Sequence, residues 1–366
     1  MEDKKKILIV YKTSHINSFG GVESFLKGLI KYIDKSKFKI RLINVSDCKN
    51  KIGVRKFYGA EIYTYKESFN ISSNNFSFEL LSNFKKHADW ADLIHYNFPW
   101  PTSDFIHFLF KIKKPYIISY HADIVRQKFL LIIYKPLMFN FLRGAKCVIT
   151  SSPNYKKSSR ILGELENVIT VPYGIEEPKY TFKKSIKLFN NNFYIFVGVL
   201  RYYKNLPDLF EAFKNLNQNL VVLGHGPLST NLNNYLRKNN IKNIIILGES
   251  DNDTKYTLMK NSIAVILPSK NRAESFGFSL LEGAALKKAL ISCDINSGMS
   301  YINKHNITGL HFKPNNIDSL KKQIIKLSNS SIARTFGLNA FRRYQNLFSI
   351  NKMVNSYENI YLNSYK

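Results

Sequence analysis

Residues 274–282 read ESFGFSLLE, and the apolar run AVIL precedes them at residues 264–267. The four apolar residues predict a buried strand, and the segment after them predicts a polar loop followed by a helix. Units of strand, loop and helix are typical of parallel α/β layers, so this stretch predicts an α/β protein. Glu274 would precede the helix, and Glu282 would lie within it, roughly 7.5 Å beyond Gly277 at 1.5 Å per residue.

The same alternation of short apolar runs and helix-length segments continues along the chain. Strands are predicted at residues 7–11, 40–45, 93–96, 116–119 and 147–150, and in a second series at residues 193–197, 220–223, 244–247, 264–267 and 289–292. Between the two series, a Pro-Tyr-Gly turn at residues 172–174 and a polar run at residues 176–187 interrupt the periodicity. A chain of 366 residues also exceeds what one hydrophobic core usually serves. We therefore predict two domains, residues 1–180 and 181–366, with the last helical segment, residues 350–365, packing on either domain.

The charge of the chain is unusual, although its composition is globular. Hydrophobic residues make up 45% of the chain and aromatic residues 14%, which excludes a disordered chain. Lys and Arg number 54 against 26 Asp and Glu, a formal charge of +28 that would attract phosphates, nucleic acid or anionic lipid. Compositional drift is the plain alternative explanation of the positive charge, because Lys, Asn and Ile are frequent even in segments with no functional motif, such as residues 239–244. Nucleic acid is not an expected partner, because the basic residues are dispersed and no recognised binding motif is present.

The cysteines and the apolar segments indicate the cellular compartment in which the protein is expected. Cys48, Cys147 and Cys293 lie far apart and form no CxxC pair, so the sequence predicts neither a zinc site nor a disulfide framework. A reducing cytosol suits such a chain. No apolar segment near the start is long enough for a signal peptide. The longest apolar stretch, residues 129–142, falls short of the roughly 20 residues that cross a bilayer. We therefore expect a cytoplasmic protein.

Four loops that follow predicted strands carry chemistry, because ligands of open α/β sheets sit at the carboxyl ends of the strands. Residues 18–21, SFGG, would bring backbone close to a phosphate, and residues 198–204, GVLRYYK, would aim two cations at one anion. Residues 224–227, GHGP, form a tight turn with backbone N–H groups available. The plain alternatives are an ordinary glycine turn, a solvated basic loop and an exposed histidine. The fourth loop ends at Glu274.

The plain alternative for the two glutamates, Glu274 and Glu282, is that both lie on a solvent-exposed helix face. Glu274 precedes the helix, however, and Glu282 lies among small and apolar residues, where an acid needs a partner. Carboxylates accept hydrogen bonds from neighbouring hydroxyls, so the pair is suited to a sugar and a ribose.

Taken together, these loops resemble those of the retaining glycosyltransferases with the GT-B fold. The hallmark of that family is a Glu-x7-Glu segment that contains Glu-x-Phe-Gly, and the Gly-Gly, Gly-x5-Lys and Gly-x-Gly-Pro loops occur here in the family's order. The resemblance covers nearly the whole chain. It implies two Rossmann-like domains that face each other across a cleft, with the acceptor bound by the first and the donor by the second. It also implies a nucleotide sugar as donor substrate, no cofactor and no metal ion.

The resemblance implies a role for each matching residue. Catalytic roles fall on Glu274 at the transferred sugar, on Lys204 and Arg201 at the diphosphate, and on His121, which would face the donor sugar across the cleft. Donor-binding roles fall on Gly20, Gly21, Gly198, Gly224, Gly226, Phe276, Gly277 and Glu282, with the helix expected to begin near Phe276 and Glu282 expected to hold the ribose. Many family members place Arg directly after the glycine that is Gly198 here, whereas this chain has Val199 and places Arg201 two positions later.

Residues 121–128 and 150–155 look like those of the subgroup that builds bacterial surface polysaccharides such as lipopolysaccharide, O-antigen and capsule, and several relatives there use GDP-mannose. Residues 111–114 and 128–146 are basic and partly apolar, which indicates a surface that rests on anionic lipid at the inner face of the plasma membrane and suits a lipid-linked acceptor. A core helix with a basic rim is the alternative. Three other functions remain open, namely a nucleic-acid-binding protein, a nucleotide-sugar epimerase of the same architecture and a non-catalytic glycosyltransferase-like subunit.

Overall fold

Two mainly parallel β-sheets, one in each half of the chain, organise the computed structural model. The structure describes residues 3–15, 20–71, 74–124, 128–183, 186, 188–189 and 192–365, without the side chains of residues 50 and 128–130. Ser18 and Phe19 of the first predicted loop, and residues 125–127 of the subgroup stretch, lie outside the described residues. The chain divides into two units, one of Met1–Gly174 with Ile350–Lys366 and one of Ile175–Ser349.

The first unit is built on an eight-stranded sheet with the order β10-β9-β8-β7-β1-β2-β4-β3. Its strands, with a separate hairpin of β5 and β6, are β1 (Lys5–Val10), β2 (Phe38–Ser46), β3 (Gly53–Phe57), β4 (Ala60–Lys66), β5 (Phe69–Ile71), β6 (Asn74–Phe76), β7 (Leu93–Phe98), β8 (Tyr116–Tyr120), β9 (Val148–Thr150) and β10 (Val168–Thr170). Its helices are α1 (Gly21–Tyr32), α2 (Phe78–Trp90), α3 (Pro101–Leu109), α4 (Lys128–Gly144), α5 (Pro153–Ser158) and α6 (Arg160–Gly163). All neighbouring strands of the large sheet are parallel except β3 and β4.

The second unit contains a six-stranded parallel sheet with the order β13-β12-β11-β14-β15-β16. Its strands are β11 (Phe193–Val197), β12 (Asn219–Leu223), β13 (Ile244–Gly248), β14 (Ala264–Leu267), β15 (Ala289–Cys293) and β16 (Gly309–Phe312). Its helices are α7 (Leu206–Lys214), α8 (Ser229–Lys238), α9 (Asn252–Asn261), α10 (Phe278–Ala285), α11 (Gly298–Ile302), α12 (Ile317–Leu327) and α13 (Ser330–Leu347). Counted within this unit, the order is 3-2-1-4-5-6, the doubly wound order of dinucleotide-binding domains.

The last helix, α14 (Ile350–Asn363), belongs to the first unit. Tyr361 of α14 places its hydroxyl 2.8 Å from Nδ1 of His95, and Tyr357 places its hydroxyl 2.8 Å from Oγ of Ser119. Both tyrosines are fully buried. The side chains of α14 thus hydrogen-bond to buried polar groups of β7 and β8, and without Tyr361 the Nδ1 atom of His95 would lose its partner.

Short apolar runs predicted most of the central strands but only one of the four edge strands of the two large sheets, β13. The strands at residues 193–197 and 264–267 have the predicted bounds. The prediction omitted the edge strands β3, β10 and β16, the interior strand β4 and the separate hairpin of β5 and β6. An edge strand is covered on one side only and needs fewer apolar residues, and all but one of the five residues of β3 are exposed.

The helix that was expected to begin near Phe276 begins at Phe278 instead. Gly277 directly precedes it with φ +99°, in the left-handed region that a residue other than glycine rarely adopts. A left-handed residue cannot continue a right-handed helix. Phe276 and Gly277 therefore lie in the loop, which corrects the prediction by two residues. Among the described residues, no helix combines the length and the hydrophobicity that a membrane span needs.

Buried neutral histidines are concentrated in the first unit. Burial lowers the pKa of His95 and of His121 to about 3. It also lowers the pKa of His15, His87 and His107 to about 4. In the opposite sense, burial raises the pKa of Asp104 to about 7. The histidines outnumber this one acid, so the unfolded unit binds more protons than the folded unit below pH 6.5.

We therefore expect the free energy of unfolding of the first unit to fall as the pH drops from 7.0 to 5.5. A fully buried neutral histidine costs about 1.4 kcal/mol per pH unit below its unfolded pKa of about 6.5. Both tryptophans, Trp90 and Trp100, lie in this unit. Urea titrations followed by tryptophan fluorescence will therefore report this unit, and equal free energies of unfolding at the two pH values would contradict the expectation.

Candidate active site

Two loops leave the second sheet on either side of the point where its strand order reverses. β11 and β14 are neighbours there, with Ile195 opposite Val265. In a doubly wound sheet, the connections of two such strands run to opposite faces, which opens a crevice at their carboxyl ends. Residues 198–205 follow β11, and residues 268–277 follow β14. The predicted second and fourth loops are therefore the two that border this crevice.

Lys204 and Glu274 meet in the crevice. Lys204 ends a short 3₁₀ turn, Tyr202–Lys204, is 9% exposed, and forms an ion pair with Oε2 of Glu274. Ser269 donates from its hydroxyl to the same oxygen at 3.4 Å. Within the described part of the chain, Oε1 of Glu274 has no hydrogen-bond partner. A lysine and a hydroxyl thus anchor one oxygen, and the other can accept a hydrogen bond from a ligand.

Glu282 is anchored in the same way by α9. Lys255 donates to Oε1 of Glu282 at 2.7 Å, and the Tyr256 hydroxyl donates to the same oxygen at 3.2 Å. Burial lowers the pKa of Lys255, but the Glu282 carboxylate and Tyr256 outweigh it, and the net pKa lies above its usual value. Burial, together with the Glu282 charge, raises the pKa of Tyr256 to about 12. At neutral pH the cluster is therefore a charged lysine and a protonated tyrosine on one carboxylate.

Packing at several points fixes the loop after β14 and the helix that carries Glu282. Lys270 pairs with Asp208 of α7 at 3.1 Å, and the N–H of Gly298 donates to the carbonyl oxygen of Ser275 at 2.9 Å. On α10, a Cβ added to Gly283 would lie 2.6 Å from a methyl group of Val265 in β14, so α10 lies close against the sheet. These contacts set the positions of both glutamates before any ligand binds.

The glycines after β11 and β12 serve backbone packing. A Cβ on Gly224 would collide with the carbonyl oxygen of Gly198, and Gly224 has φ +138°. The N–H of Gly224 donates to the carbonyl of Gly248 at 2.7 Å, and the N–H of Gly226 donates to the hydroxyl of Ser229 at 2.9 Å. These two amides already have partners. For the amides of Gly224 and Gly226, the expectation that the turn offers free N–H groups to a ligand is therefore wrong.

Arg201 and His225 lie at the surface of the unit. The Arg201 side chain is exposed, and within the described residues no acidic side chain pairs with it. Its cation is therefore open to an anion but, unlike that of Lys204, is not held in place. His225 is exposed as well, with Nδ1 at 3.1 Å from the Ser229 hydroxyl. Nothing in these contacts gives His225 a catalytic task.

His121 belongs to the first unit, directly after β8, and both of its ring nitrogens have partners. Asn97 donates from Nδ2 to the carbonyl of Val10 at 3.2 Å, which turns its Oδ1 toward Nε2 of His121 at 2.8 Å. Nε2 therefore carries the hydrogen, and Nδ1 accepts from the Tyr173 hydroxyl. Because burial lowers the pKa to about 3, the ring is neutral. A contact with a donor sugar would require one of these bonds to be exchanged, so that role stays a prediction.

A carboxylate lies beside the first glycine pair. Gly20 precedes α1, Gly21 begins it, and a Cβ on Gly20 would collide with the Glu23 carboxylate. Thr13 donates from its hydroxyl to Oε1 of Glu23 at 2.5 Å. A carboxyl group at this point disfavours a phosphate, whereas the resemblance expects the donor phosphates to lie there. The phosphate role of Gly20 and Gly21 remains a prediction.

Several residues of the site were not anticipated from the sequence. Ser269 adjoins the predicted strand at residues 264–267, so its place at the carboxyl end of that strand was a usable signal. Lys255 and Tyr256 stand in an ordinary polar helix, and Asn97 stands inside a strand. Nothing in the local pattern distinguishes these three, because their roles arise from contacts with segments distant in the chain.

Comparison with known proteins places the chain in a family. The model described as Glycosyltransferase Family 4 matches residues 19–177, and the model described as Glycosyl transferases group 1 matches residues 179–342. O-antigen chain mannosyltransferase C of Escherichia coli is 31% identical over 97% of this chain and 98% of its own. A D-rhamnosyltransferase of Pseudomonas aeruginosa is 33% identical over 94% of this chain and 92% of its own.

Solved structures share the fold. A sucrose-phosphate synthase of Thermosynechococcus elongatus superposes with a TM-score of 0.79 at 16% identity, over 98% of this chain and 99% of its own. An Anabaena protein solved in complex with UDP and glucose superposes with a TM-score of 0.77 at 16% identity, over 97% of this chain and 99% of its own. The prediction of two Rossmann-like domains is confirmed, and the chain belongs to the glycosyltransferases that combine a family 4 domain with a group 1 domain in the GT-B fold.

Proposed function

We propose that this glycosyltransferase moves a sugar from a nucleotide-sugar donor to a saccharide or lipid-linked saccharide acceptor, with retention of configuration at the anomeric carbon. The observation that carries the proposal is the pair of anchored glutamates in the second unit. Glu274 and Glu282 each keep one carboxylate oxygen without a partner in the described part of the chain. One such oxygen suits the hydroxyls of the transferred sugar, and the other suits the ribose.

The product that we propose is a bacterial surface polysaccharide, namely lipopolysaccharide, O-antigen or capsule. Support comes from the two relatives that match nearly the whole chain, one named as an O-antigen chain mannosyltransferase and the other as a D-rhamnosyltransferase. Together with the resemblance of residues 121–128 to the polysaccharide-building subgroup, these names make GDP-mannose the first donor to test.

In the mechanism that we propose, the bond between the anomeric carbon and the diphosphate oxygen breaks, and negative charge develops on the departing nucleoside diphosphate. The acceptor hydroxyl oxygen bonds to the anomeric carbon on the same face, and its proton passes to the departing diphosphate. Lys204 would bind the negative charge of the diphosphate, with Arg201 recruited from the surface. The positive end of the α10 dipole, at the start of the helix, would add to the stabilisation. Charge stabilisation of this kind is concentrated in the transition state, so it accelerates the reaction. Before the donor binds, Glu274 balances the charge of Lys204.

We also propose that the reaction needs neither a metal ion nor a cofactor. Fixed cations can stabilise a leaving diphosphate as a Lewis acid does. Lys204 is such a cation, because it is largely buried and held by Glu274. Among the described residues, no group of three or more His, Cys, Asp or Glu side chains is arranged to hold a metal ion.

A donor screen tests the proposed reaction. We expect GDP-mannose or another nucleotide sugar to raise the melting temperature, because a ligand that binds only the folded state stabilises it by about 2.7 kcal/mol at 100 times its Kd. Incubation of that donor with bacterial lipid-linked saccharides should give a product whose anomeric proton, observed by NMR, has the donor's configuration. An inverted product would contradict retention. Loss of all turnover in EDTA, with recovery on addition of Mn²⁺, would contradict the metal-free proposal.

Variants of the buried pair test the site. Lys204→Ala and Glu274→Ala should each lower kcat by roughly 100-fold or more, since removing one charge-stabilising group costs about 3–4 kcal/mol in the transition state. Lys238→Ala is the matched control, because Lys238 lies exposed at the end of α8 and its loss removes the same charge from the same unit. Near-normal kcat in both site variants would refute the assignment.

We further propose that the first unit rests on anionic lipid, which would bring it to a lipid-linked acceptor. Ile132 and Ile133 of α4 are 69% and 82% exposed. The exposed cations Lys135 and Arg143 lie on the same helix. The neighbouring helix α3 exposes Phe105, and a hydrogen bond from Tyr134 to Asp104 joins the two helices. Apolar side chains bordered by cations fit the interface of an anionic bilayer.

Vesicle flotation tests this surface. The variant Ile132→Glu/Ile133→Glu should lower the partition constant for phosphatidylglycerol vesicles by roughly 100-fold or more, because each isoleucine contributes about 1.5–3 kcal/mol when it leaves water. Ile307→Glu is the control, since Ile307 is 56% exposed in the second unit. Equal binding of both variants, or no binding by the unmodified protein, would contradict the proposal.

A further inference from the structure

Glu282 is held by a lysine and a tyrosine of α9 that stand next to each other in sequence. Lys255 and Tyr256 both donate to Oε1 of Glu282, at 2.7 Å and 3.2 Å. The lysine ammonium also lies 4.3 Å from the centre of the Tyr256 ring. The Lys255 and Glu282 side chains are only 19% and 18% exposed, so the pair is largely withdrawn from water.

The geometry around Glu282 repeats the geometry around Glu274. In each case one lysine and one hydroxyl group donate to the same carboxylate oxygen. The second oxygen, Oε1 of Glu274 or Oε2 of Glu282, has no partner within the described residues. An ionised carboxylate accepts through both oxygens, so each glutamate retains unused acceptor capacity in a fixed direction.

A short coil segment holds α9 in place. The N–H of Thr181 donates to Asp253, at 3.1 Å, and the Lys183 ammonium donates to Asp251 at 2.7 Å. The ring of Tyr180 lies 5.9 Å from the ring of Tyr256. These contacts restrict the position of α9, and therefore the positions of the two side chains that anchor Glu282.

We propose that Lys255 and Tyr256 are positioning residues for the donor ribose. They fix the Glu282 carboxylate so that its Oε2 accepts a hydrogen bond from a ribose hydroxyl. This inference rests on the proposed function, because it requires a nucleotide donor in the second unit. It goes beyond that function by making the affinity of the nucleotide depend on a lysine that itself does not touch the nucleotide.

The physical reason lies in the free-energy cost of leaving a largely buried carboxylate without its counter-charge. Without Lys255, the Glu282 carboxylate loses its counter-charge and one of two hydrogen bonds, and it can rotate or take up a proton. A rotated or protonated carboxyl group no longer offers a fixed acceptor to the ribose. The effect of Lys255 on nucleotide affinity therefore requires both Glu282 and the ribose hydroxyls. Removal of either should abolish that effect.

Calorimetric titration of the full-length protein with UDP and GDP tests the inference. For the nucleotide that binds more tightly, Lys255→Met should raise the Kd by roughly 10-fold, the range expected for a hydrogen bond to a charged group. Glu282→Gln should raise it to a similar extent. The double variant should bind no more weakly than Glu282→Gln alone, because the two residues act as one unit. Lys255→Arg should restore most of the affinity.

The decisive comparison uses the 2′,3′-dideoxy form of the same nucleotide, which lacks both ribose hydroxyls. Lys255→Met should change its Kd by less than about twofold. An equal loss of affinity for the ordinary and the dideoxy nucleotide would show that Lys255 touches another part of the ligand, and the inference would be wrong. Additive effects in the double variant would refute it as well.

Controls separate this inference from folding and from the proposed function. Lys260→Met removes the same charge from an exposed position of the same helix and should leave every Kd unchanged. If Lys255→Met does not fold, Tyr256→Phe carries the same comparison, because it removes only one hydroxyl group. Failure of the unmodified protein to bind UDP, GDP or any nucleotide sugar would refute the proposed function and this inference with it. Binding that is insensitive to Lys255 and Tyr256 would refute this inference alone.

Discussion

The ion pair between Lys204 and Glu274 joins the two loops that border the crevice of the second unit, and the candidate site depends on it. It joins residues 70 positions apart in the chain, because β11 and β14 are neighbours in the sheet although two other strands separate them in sequence. Taking two charges out of water costs several kcal/mol per ion, and mutual attraction repays this only when the geometry is good. A pair of this kind is a weak source of stability. Its place at the reversal of strand order, where ligands of such sheets bind, accounts for it better.

The position at which α10 begins sets the separation between the two glutamates of the candidate site. Gly277 ends the loop in a left-handed conformation, and α10 begins at Phe278. Glu274 therefore stays with the loop and Glu282 with the helix, each anchored by its own lysine. In each carboxylate, one oxygen accepts hydrogen bonds from the protein, and the other has no partner among the described residues. In the proposed function the two glutamates are not an acid and a base that act on one atom. They would accept hydrogen bonds from two different ends of one elongated ligand.

The first unit is organised by a different chemistry, that of neutral histidines in a dry interior. His95 lies in β7, and His121 directly follows β8. A tyrosine hydroxyl contacts one ring nitrogen of each histidine, and Ser119 or Asn97 contacts the other. Tyr357 and Tyr361 belong to α14, so the last helix of the chain supplies hydrogen-bond partners to the buried polar groups of the first unit. His121 is therefore held by its own unit in a single tautomer, and a substrate would have to compete for a nitrogen that already has a partner.

The sequence by itself determined the elements and the candidate residues, and the tertiary structure decided their partners. Apolar runs such as residues 193–197 and 264–267 predict strands, and the spacing of Glu274, Gly277 and Glu282 predicts a loop and a helix, because both depend on backbone periodicity within a few residues. The order of the strands is a property of the whole sheet. It brings Lys204 to Glu274 and Lys255 to Glu282, and it pairs the amide of Gly224 with the carbonyl of Gly248 in the neighbouring strand. Hydrogen bonds and charges act over a few ångströms, whatever the distance along the chain, so no local pattern could have specified these contacts.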